Sequence, residues 1–475
     1  MSQHFNFQHS YQTLPAEMFA AVAPARAAQP ELVFYNHTLA EQLGISPLDN
    51  SLAALYLSGK QLPANAQPIA QAYAGHQFGH ATMLGDGRAI LLGEQITPAG
   101  NVVDIQLKGA GPTPFSRRGD GRATLGSVLR EYLISEAMAA LGVPTSRSLA
   151  VVATGEAVRR PQPHPGAVLT RVASSHLRVG TFQYAAWHPN KKLLPALVNY
   201  AIKRHYPTAA QAENPALALL EAVMEQQIRL IVHWLRVGFI HGVMNTDNST
   251  ISGETLDYGP CAFMDTYHPN TVFSSIDHQG RYAFGQQAAI AQWNLERLAE
   301  ALLTDIHPQE NTAIQLASAV LDNFTPRFTQ QWVDMMHAKL GLMETANELV
   351  DDWLTLLQNQ AMDYTNAHRA LMRAELPQEE AYHTEAFIKW WQRWRPLHDA
   401  GGQAAKELMQ AANPAIIPRN HQVNQALNAA EAGDLTAFSA LHQALGTPYQ
   451  ARDLGDPFTQ AAEAHERVTQ TFCGT

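Results

Sequence analysis

The chain has 475 residues, 46% hydrophobic and 16% charged, enough to bury large cores and to build two or three domain-sized units or one lobed enzyme. Its 32 Lys and Arg stand against 42 Asp and Glu, a formal net charge of -10, which excludes a general nucleic-acid binder because no basic excess is available to displace counterions from phosphates. Two cysteines, Cys261 and Cys473, cannot build a disulfide framework and predict a reducing compartment.

The first residues, "MSQHFNFQHSYQTLPAEMF", lack a basic start followed by an apolar run, so no leader peptide is expected. No uninterrupted apolar run reaches about 18 residues, so no membrane span is expected. A soluble, cytoplasmic protein follows, and a monomer is expected.

"AGHQFGHA" places His76 and His80 four apart, a zinc spacing if helical; Gly75 and Gly79 argue against a helix and favour a structural loop. Residues 84 to 108 predict strands, with Asp86-Gly87 and Pro98-Ala99-Gly100-Asn101 as turns around "AILLGEQI" and "VVDIQLK". "TLGSVLREYLISEAMAALGV" has Leu125, Val128, Leu129, Tyr132, Leu133 and Met138 at helical spacing, ended by Gly142 and Pro144. Residues 145 to 170 return to strand-like sequence.

Residues 214 to 237 predict the clearest helix, with Asn214 as its cap, Pro215 in its first turn and Gly238 at its end. From about residue 286 the sequence is mainly helical, including "TANELVDDWLTLLQNQAMDYTNAHRAL", where Thr345 and Glu348 fit a capping box. Breaks are expected near 373 to 381 and at "NPAIIPRN". The order is α+β: a mixed sheet with one helix, then a mostly helical remainder.

Chemistry concentrates in "HGVMNTDNSTI", which follows the long helix directly. His241 and Asn248 keep the spacing of the phosphotransferase loop H-R-D-L-x-x-x-N, but Val243 stands at the Asp position. Lys108 ends a strand, Glu131 lies on the following helix, and Asp257 opens "DYG", close to the kinase D-F-G. Each element alone is weak, but their joint order points to a kinase-like site. Phosphoryl chemistry needs such a cation, a carboxylate that holds it, and oxygen ligands for Mg²⁺.

"LGDGRA" is either a glycine loop in which Gly85 and Gly87 admit phosphates beside Arg88, or an ordinary turn with an exposed Arg. Asp120 and Gly121 precede the Glu131 helix, where a ligand can meet a helix N-terminus or a turn can cap it. Arg171 and Arg178 either clamp anionic oxygens or pair with surface carboxylates.

Together the blocks "GHQFG", "LGDGRAILLGEQ", "QLKGAGPTPFSRRGDGRA", "LREYLISEAM", "SSHLRVGTF", "HGVMNTDN", "TLDYGP" and "DHQGRYAF" resemble the selenoprotein O family over about residues 65 to 300. The resemblance implies a protein-kinase-like, two-lobed fold and transfer of AMP, from ATP bound end for end, to Ser, Thr or Tyr hydroxyls of proteins, its own included. It implies that Gly85, Gly87, Arg88, Lys108, Asp120, Gly121, Arg171, Arg178 and Asp257 contact ATP and that Glu131 holds Lys108. It further implies that Asn248 and Asp257 bind Mg²⁺ or Mn²⁺ and that Asp247 is the base. UTP is a further candidate donor.

Ser249 departs from the family, where an apolar residue is more usual. Cys473 occupies the position of the C-terminal selenocysteine of some relatives, and an oxidative Cys261–Cys473 pair is one expectation. The expected division is residues 1–65 as an N-terminal extension, 66–180 as a sheet-rich amino lobe, 181–345 as a carboxyl lobe and 346–475 as a helical extension. A phosphotransferase and a non-catalytic nucleotide-binding pseudokinase remain the rival functions.

Overall fold

A computed structural model describes residues 4–373, 375–453 and 455–472. The early strands are β1 (Phe7–Gln8), β2 (Phe19–Ala21), β3 (Glu31–Tyr35) and β4 (Ile69–Gln71), followed by the hairpin strands β5 (Ala74–Gln77) and β6 (His80–Met83). Then come β7 (Ala89–Ile96), β8 (Val102–Lys108), β9 (Ala123–Thr124), β10 (Arg147–Arg159) and β11 (Pro163–Ala173), with the short pair β12 (Phe239–Ile240) and β13 (Ala262–Phe263) later.

The first helices are α1 (His37–Gln42), α2 (Asn50–Leu57), α3 (Leu125–Ala140), α4 (Val179–Trp187), α5 (Leu193–His205) and α6 (Pro215–Val237). The helical remainder holds α7 (Gln287–Ile306), α8 (Glu310–Leu321), α9 (Phe324–Leu340), α10 (Asn347–Asn359) and α11 (Tyr364–Leu371). It ends with α12 (Glu385–Ala412), α13 (Asn420–Glu431) and α14 (Thr436–Leu445). The α+β expectation is met.

Nine strands form one antiparallel sheet in the order β2-β4-β7-β8-β11-β10-β3, with β1 added to β7 and β9 to β11. Its strands are apolar on both faces because both are covered. Ile90, Leu92, Ile105 and Leu107 turn to one core beneath α1 and α2, while Leu91, Val151 and Leu169 turn to the other, shared with α3. This is the two-residue alternation of a strand acting on an unbroken apolar run. Residues before 66 are woven into the sheet through β1, β2 and β3.

The predicted helices form with the expected signals. Thr124 caps α3, its side chain accepting the Ser127 N–H at 3.3 Å. Asn214 caps α6 by accepting the Leu217 N–H at 3.1 Å, and Gly238, at φ 73°, ends it in the left-handed conformation. Buried α6 delivers the chain straight into β12 and the loop His241–Asn248.

Three local expectations are corrected. The Thr345–Glu348 capping box does not form: α10 starts at Asn347, after Ala346, without a side-chain cap. The helical stretch beyond it divides at Gln360–Asp363, where Ala361 has φ 50° and Arg419 bonds to Asp363 at 2.6 Å. Asp86-Gly87 is not a tight turn, because β6 pairs with β5 rather than β7, and Asp86 turns inward to 2% exposure. Among the described residues no helix is long and apolar enough to cross a membrane.

Candidate active site

Lys108, at the end of β8, reaches Glu131 on α3 and Asp257 before the Tyr258-Gly259 dipeptide, its Nζ donating to both carboxylates. Glu131 also meets Arg171 Nε at 3.1 Å. A strand lysine held by a helix glutamate beside the D-x-G aspartate is the ion-pair arrangement of protein kinases, and it gives this α+β chain a kinase-like core. Asp257 sits at φ 68°, a conformation uncommon outside glycine and concentrated at functional positions. Burial would raise its pKa, but Lys108, Arg88 and Arg171 outweigh burial and hold the carboxyl well below the usual carboxylate range.

The loop from His241 is anchored from beneath. His241 stacks on Trp234 with ring centroids 5.3 Å apart, and its Nε2 lies 3.1 Å from the Leu256 carbonyl oxygen. Asn294 on α7 donates to the Met244 carbonyl at 3.0 Å and to Ser249 Oγ at 2.7 Å. The polar Ser249 therefore has a buried polar partner. Val243 is buried, and Asp247 lies beside Asn248 in the same cleft.

From above, the β5–β6 hairpin grips the loop. The His76 N–H donates to Thr246 Oγ1 at 2.7 Å, the Phe78 N–H to Asn245 Oδ1 at 3.0 Å, and Gln77 Nε2 approaches Asp247 Oδ2 at 3.5 Å. Gly75 makes room: a Cβ there would lie 2.7 Å from Asp247 Oδ1. The His76 ring is engaged by Gln183 at 2.7 Å and by two tryptophans, and His80 is exposed. The two histidines thus belong to a hairpin, in keeping with the loop reading rather than a zinc helix.

Arg171 and Arg178 are 4% and 5% exposed, which removes the surface-pair alternative. Arg178 donates from Nε to the His176 carbonyl at 3.1 Å, lies over the Tyr73 ring at 4.1 Å and is 3.8 Å from Asp86. Asp86 accepts from the Gln71 N–H and from Gln106 Nε2, so this buried charge is partnered. Tyr73, Asp86 and the hairpin contacts carry no short sequence signal of their own; they become visible only when β4, β5 and the loop meet.

Gly85 and Gly87 face the Phe115–Ser116 segment so closely that a Cβ on Gly85 would collide with the Phe115 ring and one on Gly87 would lie 3.1 Å from the Phe115 carbonyl oxygen. Gly121, at φ 66°, abuts the Gly111 carbonyl. Asp120 stands at the exposed rim, bonded to Arg160 at 2.9 Å.

All twelve expected residues thus meet around one cleft, Glu131 through its contacts to Lys108 and Arg171. An outer cavity of about 760 Å³ includes Gly85, Gly87, Arg88, Asp120, Gly121, Asp247, Asn248 and Asp257. A deeper chamber of about 80 Å³ is lined by Arg88, Lys108, Arg171 and Arg178 together with Asp86, Asp247 and Asp257. Cys261 is buried, and Cys473 lies outside the described residues, so their pairing does too.

The donor set suits a hard divalent cation. Asp257 supplies carboxylate oxygens, and Asn248 uses its amide nitrogen on the Val243 carbonyl at 3.0 Å, which leaves its oxygen for a ligand. Asp247 Oδ1 is buried without a partner. Among the described residues no cluster of three or more His, Cys, Asp or Glu side chains forms a closed metal cage. One or two protein ligands completed by substrate oxygens is the usual arrangement for Mg²⁺ beside a nucleotide.

The family model described as protein adenylyltransferase SelO matches residues 2–446. A protein named protein nucleotidyltransferase YdiU from Alcanivorax borkumensis is 54% identical over 478 residues, covering 99% of both chains. Its namesakes from Anoxybacillus flavithermus and Nitrosococcus oceani are 51% and 50% identical, covering 100% and 99% of this chain and 100% and 97% of their own. The structure of ROP2 from Toxoplasma gondii, a virulence factor with a protein-kinase fold and no enzymatic activity, matches 70% of this chain and 87% of its own at 12% identity. Its TM-score is 0.23. With the family model spanning nearly the whole chain and half of all positions shared with full-length relatives, this chain belongs to the protein adenylyltransferase SelO family.

Proposed function

We propose that this chain, a nucleotidyltransferase by family, transfers AMP from ATP to Ser, Thr or Tyr hydroxyls of proteins, itself included, with ATP bound end for end. The observation that carries the orientation is the deep chamber. Its volume is about 80 Å³ against about 760 Å³ for the outer cavity, which suits phosphate oxygens and not a nucleoside. Four cationic side chains against three carboxylates line it, so with the metal bound beside Asp257 the deep end would favour the phosphates, and the nucleoside is left to the wider outer cavity.

In this proposal Lys108, Arg88, Arg171 and Arg178 neutralise the pyrophosphate that leaves, and Glu131 holds Lys108 in place. Gly85 and Gly87 admit the nucleotide, and Asp120 and Gly121 bound it at the outer rim. Asn248 and Asp257 hold Mg²⁺ or Mn²⁺, which when bound polarises the α-phosphate. The acceptor hydroxyl oxygen attacks the α-phosphorus, the bond from that phosphorus to the bridging oxygen of the pyrophosphate breaks, and Asp247 takes the hydroxyl proton. Burial pushes the Asp247 carboxyl up to about 6, which makes it a better proton acceptor than an exposed Asp. UTP enters as an alternative donor because the deep contacts address phosphates common to all nucleotides.

The lobes follow: 66–180 as the amino lobe, 181–345 as the carboxyl lobe, with 1–65 and 346–475 as extensions. Incubation with α-labelled and γ-labelled ATP tests the proposal. Label from the α-phosphate alone should reach protein, and intact mass should rise by one AMP. Only γ-label on protein supports a phosphotransferase and overturns AMP transfer; no label with nucleotide still bound supports a pseudokinase.

A further inference from the structure

The Lys108–Glu131 pair depends on where α3 lies, and α3 is held from behind by the C-terminal helices. Gly126 is in the first turn of α3, where backbone N–H groups lack helical partners. Glu431, the last residue of α13, accepts the Gly126 N–H through Oε1 at 3.1 Å, while its Oε2 lies 3.3 Å from His164 Nδ1. A carboxylate at a helix N-terminus is favoured both as a hydrogen-bond acceptor and as a negative charge facing the helix dipole.

Gly126 itself fits this contact. Glycine is a poorer helix former than alanine, yet a Cβ at this position would run into Glu431 Oε1. α13 packs along α3. α14 adds His442 against Tyr132 at 5.4 Å, one residue past Glu131, and Phe438 against Phe34 at 4.9 Å.

The two sides of this contact enclose one space. A cavity of about 320 Å³ is bounded by Asn428 and Glu431 of α13 and by Lys108, Glu131 and Asp257. The Asp257 side is also fastened by the C-terminal segment: the Thr471 N–H donates to the Phe273 carbonyl at 2.7 Å, and Thr471 Oγ1 donates to the Pro260 carbonyl.

We propose that Glu431 is a positioning residue for nucleotidyl transfer: by capping α3 at Gly126 from α13, it holds Glu131 in register with Lys108. Glu131 follows Gly126 by five residues, about 7.5 Å along a rigid helix, so a shift of the capped end is passed to the ion pair. The proposal rests on the roles of Lys108 and Glu131 given above.

The experiment measures the initial rate of AMP transfer against ATP concentration for the full-length chain, with thermal melting alongside. Glu431→Ala is expected to lower the rate at saturating ATP about tenfold, and Glu431→Gln, which keeps an acceptor for Gly126, to retain most of it. His164→Ala, which removes the other contact of Glu431, should leave the rate unchanged. Glu431→Ala added to Glu131→Gln should cost nothing more, because both act on one pair.

Parental activity in Glu431→Ala while Glu131→Gln is impaired overturns the proposal, as does a loss that multiplies with Glu131→Gln. An unimpaired Glu131→Gln instead overturns the underlying role of the ion pair. If Glu431→Ala does not fold, Glu431→Asp, whose carboxylate stops one methylene short of Gly126, decides: slowed transfer in a folded protein supports the latch, and parental transfer refutes it.

Discussion

Replacing Lys108 with methionine removes the cation that Glu131 and Asp257 share. Its side chain is 9% exposed and that of Glu131 4%, so the loss leaves buried negative charge, a change that costs about 3–5 kcal/mol in comparable pairs. Glu131 keeps Arg171 at 3.1 Å, and Asp257 keeps the fields of Arg88 and Arg171, which places the expected cost near the lower end, about 3 kcal/mol. Unfolding entropy of about 2.1 cal/mol/K per residue amounts to about 1 kcal/mol/K for the whole chain, so the melting temperature of Lys108→Met should fall by about 3 °C, and by more if the cooperative unit is smaller.

Calorimetry in EDTA without nucleotide reads this shift. Glu131→Gln should cost less, because Lys108 keeps Asp257. Adding Glu131→Gln to Lys108→Met should restore about 1 kcal/mol by removing the stranded charge. A Lys108→Met protein melting within about 1 °C of its parent, or a double variant weaker than Lys108→Met alone, would refute the shared-cation account.

Gly75→Ala places a Cβ 2.7 Å from Asp247 Oδ1 and should slow transfer at least about tenfold through misplacement of the proposed base, since displacements of about 1 Å can cost about a hundredfold; folded Gly75→Ala with parental rates removes the roof contact from the site. Stability should also fall on mild acidification. Burial, with Arg204 adding, lowers the His205 pKa to about 4, so between its ordinary 6.5 and about 4 the unfolded chain binds the proton first. Stability present above pH 6.5 is therefore lost as pH falls toward 4, by up to about 3 kcal/mol. His205→Gln should flatten that slope in urea titrations, and an unchanged slope contradicts it.

The site was unusually legible because its charged residues lie at element ends whose neighbours announce themselves. Lys108 closes an apolar strand, Glu131 rides a helix opened by Thr124 and closed by Gly142, and Asn248 follows a helix bounded by Asn214 and Gly238. Helix caps and strand periodicity are local, so sequence carries them. The Thr345–Glu348 motif was equally local, yet α10 begins after Ala346 without a side-chain cap.

What sequence by itself determined was the α+β order, the helices around the site, and the chemical identity of the cations, carboxylates and amide that meet there. Only tertiary structure decided that Arg171 and Arg178 are buried rather than surface-paired, since both readings use the same residue type and differ solely in desolvation. It also decided that the "GHQFGH" segment roofs Asp247 and that Glu431, 305 residues beyond Gly126, caps α3. Such contacts join parts of the chain too distant for any local periodicity to register, and they exist only once the sheet, α6 and the C-terminal helices have packed.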